Sequence, residues 1–187
     1  MRFKLAAAES GWLRHPFLLP RKYRNWLADQ GSLTARLKLA CADFSVRVVR
    51  SGRFRPNSDE SKPLCLHRRD QAYVREVVLR CERGSVGGQV VFAHSVVPIG
   101  SLRGAWAPVT RLGTRPLGEA LFTNPRVVRG ALQFRRISPR HPLMRQAKKA
   151  GLVGEENSLW ARRSVFSLRG HPLMVTEVFL PNILSVE

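Results

Sequence analysis

Two pairs of strand-length apolar runs, each joined by a handful of residues, constrain the fold of this chain more than any other feature. AYVREVVLRCE (72–82) leads through RGSVGG into GQVVFAHSVVP (88–98), and LWARRSVFSLRG (159–170) feeds directly into HPLMVTEVFLP (171–181). Connections this short join antiparallel neighbours, since a parallel crossover needs roughly a dozen residues or more. Glycine in RGSVGG and RGHP suits tight hairpin turns. SVRVVRSGRF (45–54) alternates apolar and basic residues as a half-exposed strand does, and ALQFRR (131–136) is a further strand candidate.

Helical patterns fall between these runs. RKYRNWLADQGSLTARLKLA (21–40) reads as two short helices interrupted by Gly31, with Ser32 placed to cap the second. Further helices are expected over 101–107, 116–123 and 143–150; for the second of these, Thr114 can cap and Pro116 can open the first turn. Residues 55–70 read as a polar, proline-containing connection and residues 1–20 as an N-terminal arm. Strands joined mostly to strands, with helices gathered between them, predict an α+β fold: a single antiparallel β-sheet flanked by helices. A chain of 187 residues, 44% of them hydrophobic, can bury a real core, and residues 1–187 are expected to form one domain.

Charge narrows the partners. With 32 Lys and Arg against 13 Asp and Glu the net charge is +19, which draws anions. The arginines are spread through nearly every segment and cluster only in pairs, whereas nucleic-acid binders gather charge into a stripe or arm. A small anionic substrate, or merely an arginine-rich solvated surface, explains the count as well, and nucleic acid is not the expected partner. Cys41, Cys65 and Cys81 are widely spaced with no CxxC pair, so neither a metal site nor a disulfide framework is signalled, and a reducing cytoplasm fits. No apolar run approaches the ~20 residues of a membrane span, and the N-terminus lacks a signal-peptide core. His67 and His94 have no Ser or Cys partner at a diagnostic spacing, so a catalytic triad is not supported. GLVGEEN and RGSVGG lack a full phosphate-binding pattern and read as turns.

Two charges stand on apolar faces. Strand alternation puts Arg75 with Tyr73, Val77 and Leu79, while Glu76 and Arg80 fall where solvated charges belong. In the last strand Glu177 shares a face with Leu173, Val175 and Phe179, and the other face is also apolar. A buried, unpaired carboxylate costs several kcal/mol, on the order of 20 in the idealised limit, so Glu177 must be paired, protonated or turned to a polar cavity. Pattern alone leaves two readings: an internal Arg75–Glu177 ion pair, or a pocket in which Arg75 clamps a carboxylate and Glu177 serves as acid, base or hydrogen-bond partner.

YVREVVLRC, VVP at 96–98, LGTRPLGEALFT, LWARRSVF and PLMVTEVFLP occur in the order and context of the chorismate pyruvate-lyase family, which the chain resembles most clearly over 71–123 and 159–181. The resemblance implies a chorismate lyase-like fold, a monomer, and a cofactor-free lyase converting chorismate to 4-hydroxybenzoate and pyruvate at the entry to ubiquinone biosynthesis. It implies that Arg75 holds the ring carboxylate, that Glu177 lies near the ring hydroxyl as the catalytic residue, and that Leu33 and Leu117 make apolar contacts. Ala93 and His94 replace the glycine and arginine of relatives. His94 and Arg162 are the candidate contacts for the second carboxylate. The alternative is a non-catalytic ligand-binding domain, since the same fold serves as the effector-sensing part of GntR-type repressors. Those carry a winged-helix domain ahead of it, and residues 1–70 here already hold part of the lyase-like region.

Overall fold

Period-two patterning in the sequence becomes a seven-stranded, wholly antiparallel sheet in the computed structural model, which describes residues 11–67, 69–83 and 86–186. In chain order the elements are α1 (Arg21–Leu27), α2 (Leu33–Ala40), β1 (Asp43–Phe54), α3 (Ser58–Ser61), β2 (Ala72–Arg83), β3 (Val86–Pro98), α4 (Ile99–Leu102), α5 (Leu117–Thr123), β4 (Val127–Arg129), β5 (Gln133–Ile137), α6 (Pro142–Lys149), β6 (Leu159–Leu168) and β7 (His171–Phe179). The sheet order is β1-β2-β3-β7-β6-β4, and β5 pairs with the remaining length of β6. The two expected hairpins therefore lie side by side, with β3 against β7. The β6–β7 turn uses Arg169 (φ 53°) and Gly170 (φ 79°), the successive left-handed residues that match the twist of paired strands. Turn residues 84 and 85 of the other hairpin lie outside the described residues.

Helices cover both faces. At seven or eight residues, α1, α2 and α5 are too short to persist in isolation and depend on packing. Trp26, Leu27, Leu33 and Leu37 bury against Val77, Leu79 and Phe179 on one face. On the reverse face Leu143, Met144 and Ala147 of α6 pack on Phe92, Val78 and Val178. Ser32 caps α2 as expected, its hydroxyl accepting from the Ala35 amide at 3.3 Å. No helix among the described residues is long and apolar enough to cross a membrane.

Several expectations need correction. The described part of the N-terminal arm is anchored: Trp12 is buried, its indole donates to Asp59 at 2.8 Å, and Leu13 bridges to Phe134. The 55–70 connection contains α3, whose Asn57–Glu60 capping box buries a glutamate. The helix expected over 101–107 is replaced by α4 and a 3-10 turn at Ala107–Arg111. Pro116 is itself the cap position of α5, and no side chain caps that helix. β4 went unforeseen because three residues show no usable period. Cys41 and Cys81 are joined in a disulfide that ties the end of α2 to β2. Their separation of 40 residues carries no local signal, because only the docking of α2 onto the sheet brings them together.

Candidate active site

The apolar face of the sheet, roofed by the first turns of α2 and α5, borders a cavity whose empty space, open solvent at its mouth included, is about 600 Å³. Its floor is set by strand register. One transverse row runs Arg75 (β2), Ser95 (β3), Val175 (β7), Ser164 (β6); the next runs Val77, Ala93, Glu177, Arg162. Arg75 and Glu177 thus sit two strands and two residues apart, about 12 Å between backbones for usual strand spacings. Leu33 and Leu117, each the first residue of its helix, project into the cavity from above. Four of the residues expected at a site are therefore brought together, with Arg162 as the fifth.

The alternative of an internal Arg75–Glu177 ion pair is not what forms. Arg75 is nearly fully buried and its Nη2 donates to the carbonyls of Gly113 (2.9 Å) and Arg115 (3.0 Å), which fix the guanidinium while leaving its charge unneutralised. Burial pushes its pKa down. Glu177 is instead paired with Arg162, whose Nε donates to Oε2 at 2.5 Å. Arg162 is committed further: Nη1 donates to the carbonyls of Trp26 (2.9 Å) and Leu27 (3.4 Å), open C-terminal oxygens of α1, and of Asp29 (2.8 Å) just beyond it. One buried cation therefore holds Glu177 in place and ties the covering helix to the sheet.

His94 does not reach the cavity. Ala93 and Ser95 face it, so alternation turns His94 to the reverse side, where its Nδ1 lies 2.9 Å from Glu76 and its Nε2 3.1 Å from Glu60. The bulge that leaves Val90 as an extra residue in β3 also breaks the face shared by Val90, Phe92 and His94 in simple alternation. Glu76 is likewise buried rather than solvated, held at 2.6 and 2.8 Å by Arg50. Burial alone would push the His94 imidazolium down, but the carboxylates of Glu60 and Glu76 raise its pKa to about 9. The same contacts hold Glu60 and Glu76 low despite burial.

Sequence reasoning missed Arg129. It stands on β4, lines the cavity, and donates from Nε to Ser164 Oγ (3.1 Å) and from Nη1 to the Gln30 carbonyl (2.7 Å). Its only signal, a basic residue after two valines in a three-residue strand, is too short to read. Among the described residues, the charged side chains lining the cavity are three guanidiniums and one carboxylate, a surplus of two positive charges. Apolar walls, an arginine at one end and a carboxylate toward the other suit a small planar anion carrying a polar group opposite its charge.

The family model described as chorismate lyase matches residues 7–187. The chain belongs to the chorismate lyase family. Relatives named as probable chorismate pyruvate-lyases include one from Thiobacillus denitrificans, 52% identical and covering 96% of this chain and 94% of its own. Another, from Nitrosomonas eutropha, is 45% identical over 92% of this chain and 94% of its own. Among solved structures, a GntR-family transcriptional regulator from Bacillus cereus superposes with a TM-score of 0.53 at 14% identity, over 75% of this chain and 93% of that one. At that identity the likeness shows a shared fold only. The chorismate lyase fold is the α+β architecture described above.

Proposed function

We propose that the chain is a chorismate pyruvate-lyase, cleaving chorismate to 4-hydroxybenzoate and pyruvate. The observation that carries this reading is the placement of Arg75 and Glu177 across one apolar cavity. Arg75, held by two carbonyls and without a carboxylate partner among the described residues, takes the ring carboxylate at C1. Glu177 receives the C4 end of the ring.

The reaction removes the C4 proton and breaks the C3–O bond, so the ring becomes aromatic. The departing enolpyruvate accepts a proton at its methylene carbon and leaves as pyruvate. Product aromaticity supplies driving force, and the residues need only bind, orient and move one proton. An ionised Glu177 can only accept hydrogen bonds, and with Arg162 on Oε2 it is positioned as acceptor for the C4 hydroxyl or for the C4 proton. Leu33, Leu117 and Val175 keep water from the reacting carbons.

The reading extends to a cofactor-free, monomeric enzyme in the cytoplasm, supplying 4-hydroxybenzoate for ubiquinone synthesis. The Cys41–Cys81 disulfide bears on the compartment, since a reducing cytoplasm disfavours it; alkylation of acid-quenched cells would find both thiols labelled if the cytoplasmic placement holds. Activity is tested by incubating the purified chain with chorismate and following 4-hydroxybenzoate by absorbance and pyruvate by coupled reduction. Equal amounts of both are expected. Folded protein that binds 4-hydroxybenzoate yet forms none favours the non-catalytic ligand-binding alternative.

A further inference from the structure

We infer that Arg129 binds the enolpyruvyl carboxylate of the substrate, making it the residue that separates the dicarboxylate substrate from the monocarboxylate product. The inference rests on the lyase reading and adds a residue to it.

Three observations lead there. First, the cavity carries a surplus of two positive charges, and chorismate carries two carboxylates. Of the three guanidiniums, Arg162 alone has a carboxylate partner among the described residues of the site. Among the described residues, Arg75 and Arg129 hydrogen-bond to neutral oxygens alone: two carbonyls for Arg75, one hydroxyl and one carbonyl for Arg129. A guanidinium desolvated without a counterion is costly, and an incoming carboxylate relieves that cost. Burial and the neighbouring Arg162 both work against the Arg129 charge, while Glu177 and Asp29 favour it.

Second, ring geometry fixes which end the second carboxylate must occupy. With C1 at Arg75 and C4 at Glu177, the enolpyruvyl group on C3 adjoins the Glu177 end. It is therefore directed to the β6 and β4 side of the floor or toward β3. The β3 side offers Ala93, whose methyl carries no charge, and His94 behind it faces away. On the β6 side, Ser164 closes the row that begins with Arg75, and the Arg129 guanidinium lies against that hydroxyl.

Third, Arg162 is the less suitable cation. Its Nε and Nη1 are already engaged with Glu177 and three carbonyls. Diverting it to the substrate would release Glu177 from its position and loosen α1. Arg129 can turn to a ligand at the expense of one hydroxyl, one exposed backbone contact and its approach to the Phe122 and Phe166 rings at 5.4 and 5.5 Å, none of which carries a negative charge. Ser164 is the corresponding positioning residue, since its hydroxyl orients the Arg129 Nε.

The test is a comparison of substrate and product on the same variants. In Arg129→Ala the KM for chorismate should rise about 10- to 100-fold, the usual scale for losing one charge-assisted contact, while affinity for 4-hydroxybenzoate stays within roughly 2-fold. The product lacks the second carboxylate, so this split is one that a merely structural role would not produce. Should Arg129→Ala fold poorly, Arg129→Gln keeps a neutral hydrogen-bond donor on a shorter side chain and removes the charge; it should show the same split. Equal weakening of substrate and product would assign Arg129 to holding the Gln30 loop and overturn the inference. An unchanged KM in either variant, with the wild type active, would also overturn it and leave the lyase reading intact. A wild type inactive on chorismate would instead remove the lyase reading, and this inference with it.

Discussion

Arg75 and Glu177 were legible as residues because strand alternation exposes a charge on the wrong face wherever both faces are apolar. What alternation could not supply is the register between strands, and register decides who partners whom. Arg162 lies directly opposite Glu177 across β6 and β7, so it takes the ion pair and leaves Arg75 without a carboxylate partner among the described residues. His94 shows the converse error: alternation within β3 was sound near the residue, but only its pairing with Glu76 reveals that this face is the reverse one. Arg75→Ala should weaken chorismate and 4-hydroxybenzoate alike, by about 10-fold or more for each, because both carry the ring carboxylate. Isothermal titration with product checks this, and normal product affinity would remove Arg75 as the clamp.

At the scale of elements, the site is made where two short helices meet over the sheet. α2 and α5 approach so closely that a Cβ on Gly118 would stand 2.8 Å from Thr34 Oγ1 and 3.3 Å from Ser32 Oγ, the cap of α2. Lys38 and Glu119 join the same two helices at the surface. Gly118→Ala should therefore displace Thr34 and the α2 cap, costing about 1–3 kcal/mol of stability, with a raised KM because Leu33 and Leu117 shift together. Thermal unfolding and kinetics on one preparation read both effects; an unchanged melting temperature would show that the hydroxyls rotate aside freely. The long strands and α2 could be read from sequence since their period runs over many residues. β4 and the break of 101–107 into α4 and a 3-10 turn could not, because they are too short to show a period and are placed by what they pack on.

For the whole molecule, the reverse face of the sheet holds a buried charge network turned away from the cavity. His94 lies between Glu60 and Glu76, Glu76 is held by Arg50, and Asp59 is kept well below the usual carboxylate range by His141, Trp12 and Arg163 despite its burial. Such groups impose a pH window on folding. The raised His94 pKa contributes stability that is complete below the ordinary histidine value of about 6.5 and is lost as pH climbs through about 9. The depressed carboxylates of Glu60, Glu76 and Asp59 contribute above about pH 4.5 and lose that contribution as pH falls through their lowered values. Denaturant titrations should find a plateau between about pH 5 and 8 and a decline toward pH 10. In His94→Gln the overall stability should be lower and the alkaline decline should disappear; a decline of the same size would place its origin elsewhere.

Above that scaffold, the central claim is that Glu177 acts on the ring that Arg75 holds. It is tested most directly by kinetics of Glu177→Gln on chorismate alongside its affinity for 4-hydroxybenzoate. The variant keeps shape and a hydrogen-bonding group, so product affinity should change little while turnover falls about 100-fold or more, the scale of a lost proton-transfer group. Turnover equal to that of the wild type, with product bound normally, would contradict the account.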